Sequence, residues 1–173
     1  EDFQINSNKV VGIAPFAKHA AKMYPLDLMQ KIVSYLQEKH NIILFGHGKL
    51  EMETINRWSS DFKNVYSCEA LNGFENEISL ISNLDLMISM DSANGHIASL
   101  YNVPVVTLWG LTHPYAGFTT FNYKSENQFC VNRDEYPLIP NSIYGNKMIK
   151  GYENAMRTIS VEEILGRVNE IIV

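Results

Sequence analysis

The chain has 173 residues, of which 46% are hydrophobic, and a formal net charge of −5 at pH 7. This length and hydrophobic content suffice for one domain with a buried core. The net negative charge argues against binding to nucleic acid or to an anionic membrane surface, because both require a basic face. A small anionic ligand is still possible, because it needs only a local positive site.

Cysteine content and hydropathy narrow the class of protein further. The two cysteines, Cys68 and Cys130, are too few for a disulfide framework or a cysteine metal site, which favours a reducing, cytoplasmic compartment. We expect neither a membrane-spanning segment nor a signal peptide. Because the first residue is Glu1 rather than Met, we expect the chain to be a piece of a longer protein.

Short apolar runs alternate with helical patterns along the first two thirds of the chain. After a polar linker at residues 1–9, the runs predict strands at residues 10–16, 41–48, 64–67, 84–90 and 104–109. The spacing of apolar residues predicts intervening helices at residues 25–40, 50–60, 75–82 and 93–101.

Beyond Gly110 this alternation lapses. Residues 111–154 are rich in Tyr, Asn, Pro and Gly, and they predict only a weak strand near residues 128–131. Ser160, followed three residues later by Glu163, is typical of a capping box and predicts a final helix that ends at Ile172.

Strands that alternate with helices are typical of parallel sheets with right-handed crossovers. The strands are continuous apolar runs, as expected when helices cover both faces of the sheet. We therefore predict an α/β fold with a doubly wound parallel sheet, in a Rossmann-like three-layer αβα arrangement over residues 10–173. Ligands of such sheets bind beyond the carboxyl ends of the strands.

The stretch MDSANGHIASLYNVPVVTLWGLTHP contains the most informative of these strand ends. Asp91 and Ser92 follow a predicted strand and begin a helix, whose free N–H groups and positive dipole end favour phosphate. Small Ala93 admits a ligand to the backbone, and His96 lies one turn further, where it can donate to a phosphate oxygen. An ordinary capping turn is the more common explanation for Asp91 or Ser92 alone, but the combination predicts a diphosphate site.

Three other strand ends carry polar candidates. Lys22, in a loop with Lys18 and His19, is a candidate to neutralise phosphate, and Glu51 is placed to accept from ribose hydroxyls. Thr112 is a candidate to bind a phosphate or a sugar hydroxyl. Each of the three has a simpler explanation. Lys22 would face solvent, Glu51 would be an acid in the first turn of a helix, and Thr112 would belong to a turn that a proline ends. No HExxH, CxxC, P-loop or GxSxG pattern occurs, so we predict no metal site.

Four segments of the sequence together resemble a known family. The segments IAPFAKHAAKMYP, ILFGHGKLE, the 90–114 stretch and ENAMRTISVEEIL resemble, in order, the donor-binding half of the lipopolysaccharide heptosyltransferases of glycosyltransferase family nine. The family motif D-[ST]-G-x-x-H-[IL]-A, followed by G-x-T-x-P, is matched by Asp91, Ser92, His96, Ile97, Ala98, Gly110, Thr112 and Pro114. Ala93 replaces the usual Gly, and Ala155 stands where members often have Cys.

The resemblance implies a fold and a set of donor-binding residues. The fold is the two-domain GT-B arrangement, of which this chain is the C-terminal half, without the N-terminal acceptor domain. Lys22 then contacts the donor phosphates, Glu51 binds the ribose, and Asp91 shapes the donor loop. Backbone N–H groups of Ser92 and Ala93 bind the diphosphate, and His96 adds a side-chain contact.

The resemblance also implies a reaction. It is the inverting transfer of heptose from ADP-heptose to a lipopolysaccharide-core glycolipid, without a metal or other cofactor. The catalytic base lies in the N-terminal domain, so we expect the fragment alone to be inactive. The full-length enzyme is expected in the cytoplasm, associated peripherally with the inner face of the membrane.

The residues themselves leave other points open. They do not identify the nucleobase, the sugar or the acceptor, and residues 117–154 match the family worst. Two alternatives to a glycosyltransferase remain: half of a nucleotide-sugar 2-epimerase, which belongs to a different enzyme class, and a non-catalytic nucleotide-binding or docking module.

Overall fold

The structure, a computed structural model, describes residues 8–70 and 73–172. Residues 1–7 of the predicted linker lie outside this part of the chain. The strands are β1 (Val10–Ala14), β2 (Asn41–Leu44), β3 (Val65–Ser67), β4 (Leu86–Met90), β5 (Val105–Trp109) and β6 (Gln128–Cys130). The α-helices are α1 (Leu26–Leu36), α2 (Lys49–Asp61), α3 (Phe74–Ile81), α4 (Ala93–Leu100) and α5 (Val161–Ile171).

The six strands form one parallel sheet in the order β3-β2-β1-β4-β5-β6. This is the strand order of a dinucleotide-binding Rossmann sheet, and it confirms the predicted doubly wound fold. The chain runs outward from β1 to β3 and then returns to β4, on the other side of β1. The carboxyl ends of β1 and β4 therefore border the crevice at which such sheets bind ligands.

Alternate residues of the buried strands enter two separate cores. On one face, Ile13 and Ile88 pack with residues of α1, α2 and α5. On the other, Ile43 and Met87 pack with residues of α3 and α4. Successive side chains of a strand point to opposite faces, so a continuous apolar run fills both cores and produces the three layers.

All five strands predicted at residues 10–109 are longer than the observed ones, and two of them show why. The run at residues 41–48 leaves the sheet after Leu44, and Gly48 then starts α2 as its N-cap residue with a positive φ of 77°. The run at residues 84–90 enters the sheet only at Leu86, since the N–H of Leu84 donates to the Ile81 carbonyl in the turn that ends α3. The early end of β2 releases the chain into a loop at the crevice, whereas the late start of β4 lies at the opposite edge of the sheet.

The segment between β5 and α5 is mostly irregular, as predicted. It contains three short 3₁₀ turns and the edge strand β6, and it packs back onto the core through Met156 and Ile159. The buried Tyr24 hydroxyl donates to the Ile159 carbonyl at 2.8 Å, and burial raises the pKa of Tyr24 to about 12. Ser160 caps α5 by accepting from the Glu163 N–H at 3.2 Å, as the capping pattern predicts.

No helix of residues 8–70 and 73–172 has the length and apolar character that crossing a bilayer demands.

Substitution of Gly110 tests how the end of β5 packs against the loop between β1 and α1. A Cβ at this position would lie too close to the Ala21 carbonyl oxygen and to Cα of Lys22, and backbone atoms cannot move aside cheaply. We expect Gly110→Ala to lower the free energy of unfolding by about 1–3 kcal/mol, measured by urea denaturation. The control is Gly166→Ala at an open site within α5, which should raise it by about 0.5–1 kcal/mol. Equal effects of the two substitutions would contradict this packing.

Candidate functional site

A cleft of about 280 Å³ opens at the carboxyl ends of β1, β2 and β4. The register pairs Ala14 of β1 with Ser89 of β4, so the loops that follow these strands start side by side. Charged, small and aromatic residues line the cleft: Ala14, Phe16, Ala17, Lys18, Lys22, Phe45, Gly46, His47, Glu51, Asp91, Ser92, Ala93 and Asn94. Five of the seven predicted site residues are in this set.

An ion pair joins the two sides of this cleft. Lys22 ends the 3₁₀ turn Ala20–Lys22 after β1, and its Nζ lies 2.8 Å from Oδ2 of Asp91, the first residue after β4. Their side chains are only 15% and 7% exposed. An ammonium group has three N–H donors, so Lys22 retains donors for a second anion after it has paired with Asp91.

The N-terminus of α4 forms another wall. Ser92 occupies the N-cap position with extended backbone, yet its hydroxyl makes no capping bond and instead pairs with the Ser89 Oγ at 3.0 Å. The first N–H groups of a helix have no partner within the helix. Because Ala93 and Asn94 at this end line the cleft, those N–H groups and the positive dipole end are available to an anionic ligand.

Glu51 lies in the first turn of α2, on the β2 side of the cleft. Its Oε2 accepts from the His47 backbone N–H at 2.9 Å, which fixes the turn between β2 and α2. A carboxylate has about four acceptor positions, so Glu51 still has acceptor capacity for ligand hydroxyls. The position fits both explanations of Glu51, as a structural first-turn acid and as a ribose-binding residue.

His96 and Thr112 do not line the cleft. His96 lies one turn further along α4, where it is half-buried and its carbonyl accepts from the Ser99 hydroxyl. Thr112 is buried behind Lys22, and its hydroxyl has no hydrogen-bond partner among the described residues. The backbone of the same loop contacts the Lys22 turn, since the Leu111 N–H donates to the Ala21 carbonyl at 2.8 Å. The predicted ligand contacts of His96 and Thr112 stay predictions.

A second cavity, of about 400 Å³, adjoins the cleft on the β2 and β3 side. It shares Gly46 and His47 with the cleft and is also lined by Met52, Cys68, Phe74 and Glu77, among others. Burial raises the pKa of the Cys68 thiol, so the thiol stays protonated at neutral pH. This cavity is a mixed apolar and polar site next to Glu51, which no sequence pattern predicted.

The sequence analysis also missed Glu77, a buried acid of α3 that contacts α4 and the loop between β2 and α2. Its Oε1 accepts from the Asn94 amide at 3.1 Å, and its Oε2 lies 3.3 Å from Nε2 of His47. In the sequence, Glu77 is simply one of two acids in the first turn of a helix. Its burial depends on the packing of α3 beside α4, which local patterns do not reveal.

Among the described residues, no group of three His, Cys, Asp or Glu side chains is arranged to hold a metal ion.

A substitution of Asp91 tests the Lys22–Asp91 ion pair. Asp91→Asn would leave the Lys22 ammonium in a largely buried position without its counter-charge. We expect the free energy of unfolding, measured by urea denaturation at pH 7, to fall by about 1–3 kcal/mol. Asp27→Asn is the control, because the pair of Asp27 with Arg157 is exposed to solvent and should contribute much less. Equal stability losses in the two variants would contradict a special role for the Lys22–Asp91 pair.

Comparisons with known proteins identify the family of the chain. The sequence model of glycosyltransferase family 9 (heptosyltransferase) matches residues 1–142. Lipooligosaccharide heptosyltransferase 2 of Campylobacter jejuni subsp. jejuni serotype O:2 is 28% identical over 138 residues, which cover 75% of this chain and 41% of that protein. The chain thus spans less than half the length of the curated relatives that it matches.

Solved structures share the fold. ADP-heptose lps heptosyltransferase II of E. coli superposes with a TM-score of 0.69 at 19% identity, over 98% of this chain and 48% of that one. E. coli heptosyltransferase WaaC with ADP gives a TM-score of 0.69 at 14% identity, over 96% and 46%. The family match over most of the sequence confirms the resemblance seen in the motifs, and the chain belongs to glycosyltransferase family 9, the heptosyltransferase family.

Proposed function

We propose that this chain is the donor-binding half, at residues 10–173, of an inverting glycosyltransferase that transfers heptose from ADP-heptose to a lipopolysaccharide-core glycolipid. The observation that carries the proposal is the cleft between β1 and β4, where the Lys22 ammonium faces an uncapped helix N-terminus. A cation and a row of free N–H groups together are suited to a diphosphate.

The neighbouring cavity supports a nucleotide rather than a free diphosphate. With the diphosphate at β1 and β4, Glu51 lies next along the sheet edge and is placed to accept from ribose hydroxyls. The 400 Å³ cavity follows at β2 and β3, with Met52 and Phe74 as apolar walls for a base. Phosphate, ribose and base thus have successive sites in the order in which a nucleotide connects them.

The choice of adenine and heptose rests on the relatives. The family model is described as heptosyltransferase, and E. coli WaaC is a solved relative with ADP. The heptosyltransferases that share the fold are about twice as long as this chain. We infer that the other half of such an enzyme carries the acceptor site and the catalytic base, in the cytoplasm at the inner face of the membrane.

In an inverting transfer, we infer a role for each of these groups. The acceptor hydroxyl attacks the anomeric carbon, and the bond from that carbon to the diphosphate oxygen breaks. Negative charge then grows on the departing nucleoside diphosphate. Lys22 and the N–H groups of Ala93 and Asn94 are placed to stabilise this charge, and Asp91 holds Lys22 in position. The proton of the acceptor hydroxyl passes to a base supplied by the other half.

Lys22 tests the diphosphate site. Lys22→Ala should weaken ADP binding roughly tenfold or more, because a charge-assisted hydrogen bond is worth about 1.5–3 kcal/mol, while adenosine binding should change little. Calorimetric titration of the two ligands gives the comparison. Lys31→Ala, at an exposed position of α1, is the control and should leave both affinities unchanged. Equal losses for ADP and adenosine would show that Lys22 acts on the fold or the base rather than on phosphate.

The proposal as a whole is tested by two assays on the 173-residue chain. Titration with ADP, GDP, UDP and CDP should show binding with a preference for ADP. Transfer from ADP-heptose to a lipopolysaccharide-core acceptor should be absent, since positioning of the acceptor and its base supplies much of the acceleration. Transfer at the rates of whole enzymes would overturn the half-enzyme proposal. A lack of any nucleotide binding would favour a docking module instead.

A further inference from the structure

The Lys22 side chain is held along its whole length. Its ammonium pairs with Asp91 at 2.8 Å, and its Cα packs so close to Gly110 that a Cβ on that glycine would lie 2.9 Å away. The methylene groups between these two ends contact Gly145, in the irregular segment between β6 and α5. A lysine side chain loses much rotamer freedom when its ammonium is confined to one position, so each of these contacts bears on where the charge lies.

Gly145 is the residue through which the irregular segment reaches Lys22. It is buried, whereas its neighbours Tyr144 and Asn146 are exposed. A Cβ on Gly145 would lie 2.5 Å and 2.6 Å from Cγ and Cδ of Lys22, and 2.9 Å from the methyl carbon of Thr112. Carbon atoms in good contact are about 3.5–4.0 Å apart, so only a residue without a side chain fits against the lysine here. The φ of Gly145, 64°, also favours glycine.

The loop that carries Gly145 is fixed by two contacts of its own. The Asn141 amide donates to the Lys147 carbonyl at 2.8 Å, which joins the two ends of the loop. The Tyr144 ring lies 6.3 Å from the Phe118 ring in a tilted arrangement, within the range of favourable aromatic pairs. The position of Gly145 is therefore set by side-chain contacts rather than by a helix or strand.

This 141–147 loop contacts the lysine from outside the donor cleft, since none of its residues is among those that line the cleft. Lys22 does line the cleft, and its side chain is only 15% exposed. The loop thus packs on the apolar stem of the lysine and leaves the ammonium at the cleft. An effect of this loop on a ligand in the cleft would therefore act through Lys22.

We propose that the 141–147 loop is a positioning element for the donor site, with Gly145 as the residue that holds the Lys22 stem. The ammonium then faces the diphosphate before any ligand binds. Because it concerns the diphosphate, this role rests on the proposed function. A preorganised cation binds an anion more tightly, since the side chain is already ordered in the free protein. The loop lies in the region that matched the family motifs worst, and no sequence pattern predicted a role for it.

A comparison of Gly145→Ala with Gly151→Ala in the 173-residue chain tests this role. Gly151 has a φ of 88°, but a Cβ there would meet nothing within 4 Å, so its substitution imposes the backbone strain without the clash. Gly145→Ala should weaken ADP binding about three- to tenfold, less than Lys22→Ala does, because the ammonium is displaced but not lost. Adenosine binding should not change. Gly151→Ala should alter neither affinity in the same calorimetric titrations.

A double-mutant cycle distinguishes positioning of the lysine from a general effect on the fold. In a Lys22→Ala chain, the Cγ and Cδ atoms that the new Cβ would displace are absent. Gly145→Ala should therefore cause no further loss of ADP affinity in that chain. Asn141→Ala is a second, milder variant that still reports if Gly145→Ala does not fold, because it opens the loop without adding a clash. It should weaken ADP binding about two- to fivefold, and only when Lys22 is present.

The outcomes separate this inference from the proposed function. Normal ADP binding by both loop variants, together with the expected loss in Lys22→Ala, would overturn the positioning role alone. Equal losses of ADP affinity with and without Lys22 would show that the loop acts independently of the lysine, and would overturn that role as well. A lack of ADP binding by the unsubstituted chain would overturn both the role and the proposed function.

Discussion

The ion pair between Lys22 and Asp91 is the constraint on which the rest of the site depends. It joins the loop after β1 to the end of β4, across the point where the strand order reverses. A lysine in a loop ordinarily extends into water, whereas a largely buried carboxylate fixes this ammonium at the cleft. The backbone after β5 packs on the same turn through Gly110, so three loops converge on one positive charge.

The start of α4 complements this charge because its own serine does not cap it. The Ser92 hydroxyl pairs with that of Ser89 and makes no hydrogen bond to the helix N–H groups. In the free protein those groups must be satisfied by water, and in the proposed complex a diphosphate would replace that water with stronger, charge-assisted bonds. The missing side-chain cap is thus the physical basis of the proposed anion site.

The edge of the sheet carries different chemistry at each strand. Apolar and amide groups meet around the buried Glu77 near β2 and β3, positive groups meet at β1 and β4, and an exposed aromatic ring follows β5. Glu77 contacts Asn94 and His47 at once, so it connects the wall of the cavity at β2 and β3 to the wall of the cleft at β1 and β4. The nucleotide diphosphate of the proposed function would use the first two of these environments.

The sequence by itself determined the fold class, because periodicity of apolar residues is a local property that records which faces of a strand or helix are buried. It also located Lys22 and Asp91 at strand ends, where a parallel sheet brings loops together. Only the tertiary structure decided that these two pair directly, that Glu77 is buried and that Gly145 packs on the Lys22 side chain. Such contacts join residues far apart in the chain, and they follow from how helices and loops pack, which no local pattern encodes.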